Sequence, residues 1–244
     1  MDEYSMTVKV LCEFIGTAIL IIIGNGTVAN VHLKGSKGYH GGWSLIAMGY
    51  GFGVMIPVMM FAGISGAQIN PAMTLGLAIN GHQGWDVVPW YILAQLLGAM
   101  AGQMAIVVTH KPYYDRTEDP EDILATFSTI NAANSRVNGF ANEFLGTMVL
   151  TSCALGILNS PSFAGESGAA ALGVGFLVWA LVVGLGGPTG PALNPARDLG
   201  PRILHALLPL KNKGTSDWGY SWVPVAAPIA GGIVGVAGYT ALLG

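Results

Sequence analysis

Ser65-Gly66-Ala67-Gln68-Ile69-Asn70-Pro71-Ala72-Met73-Thr74 and a later counterpart, Gly190-Pro191-Ala192-Leu193-Asn194-Pro195-Ala196-Arg197-Asp198, decide how this chain folds. Asparagine is a strong N-cap because its side-chain oxygen accepts from first-turn amides. Proline suits the first helical position, where the N–H it lacks had no partner. Asn70-Pro71-Ala72 and Asn194-Pro195-Ala196 are therefore helix starts. The helices they open, 70–80 and 194–208, are too short to cross a membrane, since about 10 residues rise about 15 Å against about 30 Å of hydrocarbon. They read as re-entrant half-helices. Each follows an irregular lead-in, Gly66-Ala67-Gln68 and Gly190-Pro191-Ala192. Such backbone is tolerated at membrane depth only where it is buried in protein or lines a wet cavity, so a ladder of acceptor carbonyls is expected along one wall.

Outward from these motifs lie six apolar segments of spanning length, roughly 8–31, 43–62, 87–108, 140–158, 169–185 and 221–243. A polar connection, 109–139, divides them into two groups of three. Glu13-Phe14-Ile15-Gly16-Thr17 returns as Glu143-Phe144-Leu145-Gly146-Thr147, just as the Asn-Pro-Ala motif returns. With three spans in each half, about 8–108 and 140–243, the second copy enters the bilayer inverted, and the two half-helices approach the midplane from opposite sides. The expected architecture is a single channel domain over 1–244: an all-α membrane protein of six transmembrane helices and two half-helices.

Composition agrees. Only 9% of residues are charged, and hydrophobic types reach 52% with a mean hydropathy of +0.56, values foreign to a soluble surface. The net charge is −3 and no Lys/Arg cluster occurs, so nucleic acid is excluded as a partner. Cys12 and Cys153 lie in apolar runs without ligand spacing and are expected as free thiols; no metal or cofactor is implied. The first apolar run lacks a basic leader and contains Glu13, which favours a retained helix over a signal peptide. Charge bias does not favour a cytoplasmic N-terminus, since most basic residues would then lie outside.

Six positions carry chemistry. Arg197 falls in the first turn of the second half-helix, where a cation within the membrane is expected to face a polar cavity. Glu13 and Glu143 sit at equivalent places and are expected to brace the lead-ins by accepting from their amides, while Asp198 offers a third structural carboxylate. The amides of Asn70 and Asn194 can face a passing oxygen, and the two helix N-termini would repel cations. His32, His40, His82, His110 and His205 have no ligand spacing and read as solvated. Trp85, Trp90, Trp218 and Trp222 read as interfacial anchors. A carbonyl ladder opposed by apolar side chains suits a small polyol. Inverted repeats also serve secondary transporters, with Glu13 and Glu143 as coupling sites, and that alternative predicts saturable, gradient-dependent flux. No pairing of nucleophile and base, or His-Glu-x-x-His, supports an enzyme.

The paired motifs resemble those of the aquaporin family, and Asp198 directly after Asn-Pro-Ala-Arg is similar to its glycerol facilitator branch. The resemblance covers nearly the whole chain. It implies passive diffusion of glycerol, with water as co-permeant and protons and ions excluded. It also implies cytoplasmic termini in a plasma-membrane protein and a homotetramer with one pore per protomer. Dihydroxyacetone, hydrogen peroxide, urea and lactic acid are further candidate solutes. The family's narrow filter maps onto Tyr50, where glycerol facilitators commonly have Trp, onto Pro191, where they often have Phe, and onto Arg197. The fifth-helix position maps onto Val183 if the following loop is one residue short, or onto Val182 if it is not. Gln68 stands where the family often has His.

Overall fold

Length and apolarity set the frame. In the computed structural model, which describes residues 4–163 and 167–243, the helices are α1 (Met6–His32), α2 (Trp43–Ser65), α3 (Pro71–Ile79), α4 (Val88–Arg116), α5 (Pro120–Ala125), α6 (Arg136–Leu158), α7 (Ser167–Leu185), α8 (Pro195–Leu207) and α9 (Val223–Leu243). Six of them, α1, α2, α4, α6, α7 and α9, are long and apolar enough to cross a membrane. The half-helices α3 and α8 begin where the Asn-Pro-Ala motifs place them, with 9 and 13 residues.

The contacts of the two halves correspond. Helix α1 packs on α4 and α6 packs on α9. At these crossings a side chain on Gly98 would strike the Phe14 carbonyl, and one on Gly231 would strike that of Phe144. Membrane helices gain little from hydrophobic exclusion, so such small residues let backbones approach closely enough for dispersion to hold them. The outward faces are lined by residues such as Leu11, Ile15, Leu97 and Phe176, all exposed, as a lipid-facing surface requires. Trp85, Trp90, Trp218 and Trp222 are likewise exposed near the span ends.

The connection expected as a polar loop over 109–139 differs. Helix α4 continues past Val108 to Arg116, supported by the Lys111–Asp115 pair one turn apart and tolerating Pro112. Asp119 then caps the short α5, accepting from the Glu121 amide at 2.8 Å with Pro120 at the first position. Beyond it the chain turns inward: Tyr114, Ile123 and Phe127 are fully buried, in one cluster with Ile21, Leu33 and Leu204. Charges at 115–122 hide this from a composition reading, because they occupy the outer faces of segments whose inner faces are apolar.

Candidate functional site

The two half-helices meet N-terminus to N-terminus. Asn70 Oδ1 accepts from the Ala72 amide at 2.9 Å, and Asn194 Oδ1 accepts from Ala196 at 3.0 Å and Arg197 at 3.3 Å. Each cap also reaches across. Asn70 Nδ2 donates to the Leu193 carbonyl at 2.8 Å, and Asn194 Nδ2 donates to that of Ile69 at 2.7 Å. An amide nitrogen carries two hydrogens, so one on each asparagine stitches the half-helices together and the second remains for the cavity both residues line.

The crossing carbonyls belong to Ile69 and Leu193, both left-handed at φ 42° and 51°. This conformation is strained for side chains branched at Cβ or bulky, and persists only where the surroundings enforce it. Two fully buried carboxylates do so. Glu13 accepts from the Ile69 amide at 2.6 Å, the Gln68 amide at 2.9 Å, Ser65 Oγ at 2.7 Å and Gln95 Nε2 at 2.9 Å. Glu143 accepts from the amides of Leu193 and Ala192, each at 2.9 Å, and from Thr189 Oγ1 at 2.8 Å. Charge-assisted bonds of this kind are about twice as strong as neutral ones, which suits them to holding strained backbone.

Two cavities, of about 590 and 280 Å³, flank the second lead-in. The first is lined by Gly66, Ala67, Gln68, Asn70, Ala192 and Asn194, among others, and the second by Gly190 with the inner face of residues 128–132. Four residues line both: Tyr50, Val182, Pro191 and Arg197. They form the neck between the cavities. Val183 lies elsewhere, 52% exposed on the outside of α7, whereas Val182 is buried. The correction has a helical cause: adjacent residues lie about 100° apart around a helix axis, so only one of the pair can face the neck. The loop behind α7 is closed by Gly190 donating to Gly186 at 2.7 Å, and Trp43 Nε1 donates to the Val182 carbonyl at 2.9 Å.

Arg197 is 3% exposed and turned inward. Its Nη1 donates to the Phe127 carbonyl at 3.3 Å and its Nη2 to the Tyr50 hydroxyl. It does not pair with Asp198. That carboxylate instead accepts from Arg202 Nε at 2.8 Å and from the amide and hydroxyl of Thr129 at 2.8 and 2.7 Å. Arg202 also donates to the carbonyls of Ser216 and Thr129, so one buried ion pair fastens α8 to the loop that follows it and to the segment between α5 and α6. Gln68 is tied away beneath α3, its Nε2 donating to Gln83 Oε1 at 2.6 Å.

His205 is not solvated: it is fully buried, with Nδ1 2.8 Å from Ser216 Oγ and its ring edge-on to Phe127. Sequence reasoning also missed Asn25, Gln103 and the Phe127 carbonyl, which stand directly behind the neck. The two amides carried a signal, being polar side chains in the middle of apolar spans. A backbone carbonyl carries none.

Comparison with known proteins agrees with this geometry. Residues 1–239 match the family described as Major intrinsic protein. The chain is 50% identical over 246 residues to glycerol uptake facilitator protein-like 5 of Lactiplantibacillus plantarum, covering 98% of each. It is 46% identical to the glycerol facilitator-aquaporin gla of Lactococcus lactis subsp. cremoris, covering 96% of this chain and 97% of that one. The structure of the aquaglyceroporin from Plasmodium falciparum superposes with a TM-score of 0.86 at 30% identity, over 98% of this chain and 97% of the other. The chain therefore belongs to the major intrinsic protein family, whose members are membrane channels and not enzymes.

Proposed function

We propose that this protein is a passive channel for glycerol, with water as co-permeant and small uncharged solutes such as dihydroxyacetone, hydrogen peroxide, urea and undissociated lactic acid as further candidates. The observation that carries the reading is the neck of Tyr50, Val182, Pro191 and Arg197 common to both cavities, one wall cationic and hydroxylated and the other aliphatic. A polyol fits such a neck edge-on. Its hydroxyls accept from Arg197 and donate to the carbonyls of Gly190, Pro191 and Ala192, while its C–H edge slides along Val182 and the Pro191 ring.

At the centre, the remaining amide hydrogens of Asn70 and Asn194 donate to the passing oxygen, which must then point its own hydrogens away from both. This breaks a continuous water wire. The facing N-termini of α3 and α8, together with Arg197, raise the potential for cations, so protons and other cations are refused. Glu13 and Glu143 have their oxygens filled by amide and hydroxyl donors and act as braces, not as coupling sites. The protein resides in the plasma membrane with both termini cytoplasmic and works as a homotetramer with one pore in each protomer.

The test is stopped-flow light scattering on proteoliposomes. Shrinkage under an impermeant osmolyte and re-swelling under glycerol should both exceed those of empty vesicles, with glycerol flux linear in concentration and indifferent to proton or sodium gradients. Saturable, gradient-dependent flux would overturn the reading in favour of a transporter.

A further inference from the structure

Behind the neck, four residues close a ring of hydrogen bonds. Arg197 Nη2 donates to the Tyr50 hydroxyl, the Tyr50 hydroxyl donates to Asn25 Oδ1 at 2.7 Å, Asn25 Nδ2 donates to the Phe127 carbonyl at 3.1 Å, and Arg197 Nη1 donates to that same carbonyl at 3.3 Å. The second Asn25 Nδ2 hydrogen goes to Gln103 Oε1 at 2.8 Å. Asn25, Gln103 and Phe127 are fully buried; Tyr50 and Arg197 are 7% and 3% exposed.

The bond directions admit one arrangement. Arginine only donates, so the Tyr50 oxygen accepts from it and the single phenolic hydrogen must go elsewhere. Asn25 Oδ1 is its acceptor. The opposite amide orientation would set Oδ1 against the Phe127 carbonyl, which can only accept, and would leave the phenolic hydrogen without a partner. The amide is thus fixed by three partners, and through them it fixes both polar walls of the neck. Such a ring also requires a hydroxyl on the aromatic residue. An indole at position 50 has a donor but no acceptor, so it could not receive Arg197.

We propose that Asn25, which does not touch the solute, is the positioning residue that sets solute selectivity, by orienting the Tyr50 hydroxyl and the Arg197 guanidinium from behind. The proposal rests on the channel reading above and refines it. Without Asn25 the phenolic hydrogen and the Phe127 carbonyl each lose a partner, the guanidinium is held at one fewer fixed point, and the neck samples a wider range of apertures.

Full-length wild type, Asn25→Val, Tyr50→Phe and the double variant would be reconstituted in vesicles of neutral lipid. Re-swelling would be measured with glycerol and with a five-carbon polyol, and the ratio of the two rates compared. A merely structural role lowers both rates together as less folded protein inserts. A positioning role changes the ratio. Asn25→Val should reduce the glycerol preference by about fivefold, the scale of one net hydrogen bond, and Tyr50→Phe should do so by a similar factor. The double variant should be no less selective than the worse single variant, because both cut the same ring. An unchanged ratio in Asn25→Val, or additive losses in the double variant, would overturn the proposal. If Asn25→Val does not insert, Asn25→Thr takes its place, since a single hydroxyl cannot bridge the Tyr50 hydroxyl and the Phe127 carbonyl, and an unchanged ratio there overturns the proposal. Failure of the wild type to conduct glycerol would instead strike the channel reading, and is seen before any variant is compared.

Discussion

Three residues before each capping asparagine, the first lead-in has Ala67 at φ 43° and the second has Pro191, whose ring holds φ near −65°. Three residues after it, the first half-helix has Met73 and the second has Arg197; four after it, the first has Thr74 and the second Asp198. The cap, the left-handed residue before it and the buried carboxylate behind it are common to both. The common parts are those that build a half-helix inside a membrane. The differing parts cluster in the second half, beside the neck, where a cation, its hydrogen-bonding partners and a proline are installed on an otherwise duplicated frame. On the proposed channel reading scaffold and selectivity are separable, and substitutions at matched positions should separate them.

The largest contrast is expected at the fourth residue. Arg202→Met leaves Asp198 charged and buried against Thr129 alone, which should cost about 3–5 kcal/mol, while Thr74→Val at the place matching Asp198 should cost about 1 kcal/mol. Thermal unfolding in detergent would rank the two. The carboxylates come next. Glu143→Gln should cost about 3 kcal/mol, because the Ala192 and Leu193 amides bond different carboxylate oxygens and the NH2 that replaces one of them cannot accept. Glu13→Gln should cost less, because Gln95 can turn its amide and Ser65 its hydroxyl to meet the new group. Equal losses would show that side-chain adaptability plays no part.

At the third residue the readout is selectivity and not stability. Arg197→Ala should raise five-carbon polyol and ion leakage at least about tenfold, the scale of losing bonds from a charged donor, whereas Met73→Ala should leave solute ratios unchanged. Unaltered selectivity in Arg197→Ala would count against the neck as the filter. The smallest contrast is the symmetrical one. Asn70→Asp and Asn194→Asp keep the cap but set a buried carboxylate oxygen against the crossing carbonyl where a donor stood, so each should cost about 3 kcal/mol in unfolding experiments, with no difference between the two.

Much of this was legible in the sequence because it depends on local pattern. The half-helices follow from cap chemistry and length, the six spans from hydropathy, and the matched carboxylates from the repeat itself. The outer structure was not legible. Residues 109–129 carry charges on one face and apolar groups on the other, so composition alone made them a loop, and the buried Tyr114 and Phe127 were hidden among them. The choice between Val182 and Val183 required the helix phase at the neck, which a doubtful loop length left open. Arg197 could be named but not its partners, since one is a backbone carbonyl 70 residues away in sequence and another depends on an amide in the first span.

The crossed bonds between Asn70 and Leu193 and between Asn194 and Ile69 bear on regulation. Neither stub can shift without dragging its opposite number, and each is anchored from behind by a filled carboxylate. A bore locked in this manner has no shutter at its waist, so whatever meters the flow acts at the neck, at the mouths or on the number of copies made.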